Sequence, residues 1–108
     1  MYQQLTKLSL DEFVETFDNE IRLSFRKRAW IYLIKTNNLT CPITGKTVSY
    51  CSYDYSKSGN SYHYNFYSDD NSFMTIDHIN PKAKGGRNDF TNIQPMEAKA
   101  NGIKSDKI

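Results

Sequence analysis

The sequence predicts a small α+β fold, and three observations carry that reading. Ser9-Leu10-Asp11-Glu12 is a capping-box pattern, and Leu10, Phe13, Val14, Phe17 and Ile21 follow at helical spacing. Tyr50, Tyr53, Tyr55, Tyr62, Tyr64 and Tyr67 flank a Lys57-Ser58-Gly59-Asn60 turn, which predicts a hairpin within a β-rich stretch over about 47–76. The chain has 108 residues, room for a single domain over 1–108 and not for two.

The helical part spans about 9–36. After the capped first segment, a second helical stretch from Arg22 to Lys35 carries Phe25, Trp30, Leu33 and Ile34, either continuous with the first or separate from it. Asn37-Asn38 ends it, and Cys41-Pro42-Ile43-Thr44-Gly45-Lys46 reads as a turn. In the hairpin the tyrosines read as the residues of a half-buried sheet. No ribonucleoprotein-type signature supports base stacking, and His63 reads as a partly exposed strand residue. Phe73-Met74-Thr75-Ile76 is a short apolar run ending at Asp77-His78, followed by a loop with Pro81 and Gly85-Gly86. Asn92-Ile93-Gln94-Pro95 is then expected to open the last helix, with Pro95 in its first turn and Met96, Ala100 and Ile103 as its buried stripe.

Composition narrows the class. With 38% apolar and 24% charged residues, the chain is too apolar for a disordered tail and too polar for a membrane protein. No apolar run approaches the roughly 18 residues of a bilayer span, and Met1 opens onto polar sequence. The expectation is an intracellular, cytoplasmic protein without membrane association. Two cysteines, Cys41 and Cys51, without a secretory signal predict no disulfide, and two thiols cannot close a four-cysteine zinc site.

Net charge is +2, but its distribution is uneven: residues 1–20 hold one base and five acids, a net of −4, and the remainder 13 bases and 7 acids, a net of +6. Bases gather in Arg22, Arg26, Lys27 and Arg28, and again in Lys82, Lys84, Arg87, Lys99, Lys104 and Lys107. Such groups form either a footprint for phosphates or solvated faces.

Chemistry concentrates at Asp77-His78, Asn92 and Asn101. A carboxylate, an imidazole and two amides can serve as a hard metal ligand, a general base and orienting groups. Adjacent strand residues point to opposite faces, so Asp77 and His78 share a site only where the strand stops being regular. Each residue also has a plainer reading: Asp-His is a common dipeptide, Asn92 suits a helix cap, and Asn101 suits a solvated helix face. Composition and periodicity by themselves stop at a small α+β domain with a candidate metal site.

At these residues the chain resembles the HNH endonuclease family, the ββα-metal or His-Me finger nucleases. The resemblance runs through Ile76-Asp77-His78-Ile79-Asn80-Pro81, Lys84-Gly85-Gly86-Arg87-Asn88, Asn92-Ile93-Gln94-Pro95-Met96 and Asn101-Gly102-Ile103-Lys104. It covers residues 74–107, with a weaker likeness back through Cys41–Gly45; the tyrosine-rich stretch and residues 1–20 lie outside it. It implies a ββα-metal core over about 74–107, added to the N-terminal helices and the tyrosine-rich hairpin.

The resemblance also implies roles. His78 is the general base for water attack on a DNA phosphodiester, Asp77 and Asn101 hold one divalent metal, and Asn92 bonds the strand-end backbone and so orients His78. The products implied are 5′-phosphate and 3′-hydroxyl ends. Asn101 stands where other members have His, an HNN-type variant whose oxygen donors suit Mg²⁺ or Mn²⁺. Of the two Cys-x-x-Cys pairs that hold structural zinc in many relatives, Cys41 alone remains, opposite Thr44, Glu97 and Ala100, so no structural zinc is expected. Lys82, Lys84, Arg87 and Lys104 are the expected phosphate contacts. Double-stranded DNA is the expected partner, with a protein partner or self-association supplying specificity and a prokaryotic or phage origin compatible with the family. The competing reading is a non-catalytic HNH-like module that binds nucleic acid or protein.

Overall fold

The computed structural model describes residues 6–20, 22–56, 61–80, 85 and 89–100. The elements run β1 (Thr6–Ser9), α1 (Leu10–Phe17), α2 (Phe25–Lys35), β2 (Val48–Ser56), β3 (Ser61–Ser68), β4 (Phe73–His78), a 3-10 turn (Phe90–Asn92) and β5 (Ile93–Glu97). The strands form one antiparallel sheet in the order β1-β2-β3-β4-β5.

The α+β class follows from local chemistry. Ser9 Oγ accepts from the Glu12 N–H at 3.1 Å while Glu12 Oε1 accepts from the Ser9 N–H at 2.9 Å, so the predicted capping box turns β1 directly into α1. Helix α2 starts at Ser24, whose hydroxyl accepts from the Lys27 N–H. It ends where Asn37 takes φ +56° and the Asn38 N–H reaches the Leu33 carbonyl at 2.9 Å. The helical part is thus two helices, Leu10–Phe17 and Phe25–Lys35. The 41–46 segment is the expected turn, closed by Cys41 N–H to Lys46 O (2.8 Å) and Gly45 N–H to Cys41 O (2.9 Å), with Gly45 at φ +76°. Strands β2 and β3 pair from Val48↔Ser68 to Ser56↔Ser61, as the tyrosine pattern predicts, although residues 57–60 lie outside the described ones.

Both helices cover one face of the sheet. Trp30, wholly buried, stacks on Phe66 at 4.1 Å between ring centroids, and Phe13 meets Phe66 edge-on at 4.9 Å. Leu33, Cys51, Met74, Ile93 and Met96 complete the core. Burial pushes the Cys51 thiol up to about 12, so it stays protonated at neutral pH. The bases of α2 also make contacts within the fold. Arg26 donates to the Tyr64 carbonyl (2.9 Å), Lys27 lies 4.6 Å from the Phe17 ring centre, and Arg28 lies 5.9 Å from that of Phe90.

One element differs from expectation. Residues 93–97 form a strand rather than the first turns of a helix, and residues 98–100 are the ones that turn helical. Pro95 pairs with Ile76, and because β5 is the edge strand, its missing N–H can face away from the ladder at no cost. That register buries Ile93, Pro95 and Met96. Ile103 of the predicted stripe lies outside the described residues.

Candidate active site at the end of strand β4

The sheet's β4–β5 end gathers three of the predicted site residues. Asp77 pairs with Gln94 and His78 with Ile93, so both Asp77 and His78 lie within regular strand. The loop expected to break the strand begins beyond His78, and the register places the two side chains on opposite faces of β4. His78 shares its face with Met74 and Ile76, Asp77 with Thr75 and Phe73.

Beyond His78 the backbone is tied to Asn92. The Ile79 N–H donates to the Asn92 carbonyl at 2.9 Å. The Asn80 N–H donates to Asn92 Oδ1 at 2.8 Å, and Asn92 Nδ2 donates to the Asn80 carbonyl at 3.0 Å. Exchanging the amide's oxygen and nitrogen would set donor against donor, so the bonds themselves orient it. Asn92 is therefore not the helix cap that its plainer reading suggested: its amide serves the β4 exit.

Asn92 is held from behind in turn. Asp89 caps its 3-10 turn, accepting from the Thr91 N–H at 2.9 Å. Phe90 stacks on both Phe25 (5.4 Å) and Tyr32 (5.1 Å) of α2. A chain of contacts thus runs from α2 through Phe90 and Asn92 to the residues after His78.

Gln94 is the residue that sequence reasoning missed. Its Nε2 donates to Asp77 Oδ2 at 3.2 Å, fixing the carboxylate from the neighbouring strand. The available signal was a polar residue among Ile93, Pro95 and Met96, but its meaning depends on the cross-strand register. Asn101, Lys82, Lys84, Arg87 and Lys104 lie outside the described residues.

A second polar cluster closes the opposite end of the β4–β5 pair. Lys46 Nζ lies 3.0 Å from both Asp70 Oδ2 and Glu97 Oε2 and donates to Ser72 Oγ at 2.7 Å. The bonds to Glu97 and then Asp70 raise the Lys46 pKa. The Ser68 hydroxyl, followed by Lys46, holds the Asp70 carboxyl well below its usual range. Beside it Cys41 Sγ points at Met96 Sδ (3.6 Å) and accepts from the Thr44 N–H (3.5 Å). Burial opposes ionisation of Cys41, but hydrogen bonds from Thr44 and from the Glu97, Thr44 and Ile43 amides outweigh it and lower its pKa.

The protein-family model for HNH endonucleases matches residues 49–107, more than half of the chain. The chain belongs to the HNH endonuclease family. The matched region opens at β2, so the tyrosine-rich hairpin, which the motif resemblance left out, is part of the HNH match, while the 41–45 turn precedes it. No curated protein and no solved structure matches this HNH chain. Among the described residues, no helix is long and apolar enough to cross a membrane.

Proposed function

We propose that this HNH protein is a metal-dependent endonuclease that hydrolyses phosphodiester bonds of DNA. The observation that carries the reading is the reciprocal Asn92–Asn80 bonding immediately after Asp77-His78, in a chain of a nuclease family. It fixes the backbone where a general base would need a defined position. The succession of β4, β5 and a helical turn at residues 98–100 supports a ββα-metal core.

In this reading the scissile phosphate lies beyond His78, the last ladder residue, where the strand stops being regular, and Asp77 reaches it from the opposite face of β4. His78 takes the proton of the attacking water. Asn92 acts as a positioning residue through the Asn80 backbone. Gln94 keeps one oxygen of Asp77 engaged, which fixes the plane of the carboxylate and the direction of its lone pairs.

Asp77 suits one hard divalent ion, with Asn101 as the second protein ligand. Among the described residues no group of three His, Cys, Asp or Glu forms a metal cage. A sparse oxygen donor set suits Mg²⁺ or Mn²⁺, which keep several waters and use one or two carboxylates with substrate phosphate. When bound, such an ion stabilises charge on the phosphate and on the leaving 3′ oxygen. Lys82, Lys84, Arg87 and Lys104 complete the reading as phosphate contacts.

Cleavage by Asp77→Ala and His78→Ala tests the assignment. Both are expected to lose activity while retaining the wild-type Tm. Wild-type rates in either would reassign the site.

A further inference from the structure

The face of the sheet opposite α1 and α2 carries a hollow of about 370 Å³ lined by Lys7, Tyr50, Ser52 and Tyr67. Its volume falls within the range of small-ligand pockets. The Tyr50 and Tyr67 rings stack at 5.4 Å, and Phe73, 40% exposed, extends the aromatic row with its ring 5.8 Å from that of Tyr67. Tyr50 is held rigid, its hydroxyl donating to Asn71 Oδ1 at 2.5 Å. Lys7 Nζ lies 4.2 Å from the Tyr50 ring centre and makes the rim positive. Ser52 backs the hollow. The residue is only 5% exposed, and its Oγ has no hydrogen-bond partner. That oxygen is itself closed off from the surface, so the aromatic rings and Lys7 are what the hollow offers a ligand.

We propose that this hollow takes an unpaired base of the nucleic-acid substrate, stacked on the aromatic row and placing its phosphate at Lys7. The inference rests on the nucleic-acid reading above and specifies the substrate: a strand with unpaired bases beside the cut. Geometry favours this occupant over a free small molecule. Phe73, Thr75 and Asp77 alternate onto one face of β4, so the platform and the candidate metal ligand share a surface. They are separated by roughly 15 Å, at about 3.3 Å per residue along the strand and 4.8 Å between strands. A strand crossing that face can pass from one to the other. Aromatic side chains with a nearby cation are the general platform for unpaired bases.

The test uses the full chain in EDTA with a DNA oligonucleotide carrying 2-aminopurine in an unpaired tract beside a duplex. A fully paired version serves as the control. Stacking is expected to quench the probe in the unpaired tract and not in the paired one. Tyr67→Ala and Lys7→Ala should bind the unpaired tract about ten-fold more weakly. Ser52→Ala should raise Tm, because an orphaned buried hydroxyl is gone, and leave binding of the unpaired tract unchanged. Binding without quenching, equal quenching of the paired probe, or wild-type affinity in both Tyr67→Ala and Lys7→Ala would overturn the proposal. Metal-dependent cleavage without quenching would sink the pocket and leave the nuclease reading intact. Quenching without cleavage would do the reverse.

Discussion

Asn92 grips the backbone of Asn80 from both sides, Oδ1 taking its N–H at 2.8 Å and Nδ2 giving to its carbonyl at 3.0 Å. Asn92→Ala removes both bonds, and Asn92→Asp keeps the acceptor but sets a carboxylate oxygen against the Asn80 carbonyl. Both variants should lower kcat by at least about ten-fold with little change in KM, since a loosened base costs rate rather than uniform binding. A KM increase at unchanged kcat would show that Asn92 serves binding rather than the reacting geometry.

Gln94 bears on the metal rather than the base. Its 3.2 Å bond to Asp77 Oδ2 orients the proposed ligand. Gln94→Ala should raise the Mn²⁺ concentration for half-maximal cleavage by about 10-fold or more, the usual effect of losing a group that orients a ligand. Gln94→Glu should be worse than Gln94→Ala at neutral pH, because it sets a second carboxylate against the first. Identical metal dependence in wild type and Gln94→Ala would remove Gln94 from the site.

Phe66 is the keystone of packing, wholly buried with Trp30 stacked on it and Phe13 edge-on. Phe66→Ala should cost about 3–5 kcal/mol in urea denaturation, transfer loss and cavity together. A loss below about 1 kcal/mol would mean that the helices close down on the space.

The Lys46 cluster predicts a pH signature. The Asp70 carboxyl is depressed in the fold, so its stabilising contribution is present above its ordinary value near 3.8 and is lost as pH falls through the lower folded value. Lys46 is raised, so its share persists until pH passes above about 10.5. Asp70→Asn should therefore lower Tm at pH 6, and the gap to wild type should narrow below about pH 4. A gap constant from pH 6 to pH 2.5 would rule out the ionised Asp70 as its source.

What the sequence made legible was what local chemistry decides. The Ser9 box, the Asn37 stop and the hairpin between Tyr50 and Tyr67 depend on neighbours within a few residues, and all are present. β1 was invisible because Thr6–Ser9 is a strand only through its pairing with Tyr50–Tyr53. β5 was misread because Pro95 suits a helix's first turn as well as an edge strand, and a partner 19 residues away, Ile76, decides between them. The motif singles out Asp77, His78 and Asn92 as candidates, whereas the pairing of Gln94 with Asp77 requires the register of β4 against β5. The basic residues of α2 were open between phosphate contacts and a solvated face; aromatic rings beneath Lys27 and Arg28 supply a third role.

The most direct measurement is conversion of supercoiled plasmid by the purified full chain with Mg²⁺ or Mn²⁺, beside an EDTA control and His78→Ala. Nicked or linear DNA is expected with the metal, and none with EDTA or with His78→Ala. Cleavage that survives EDTA, or that His78→Ala performs as well as wild type, would contradict the proposed function.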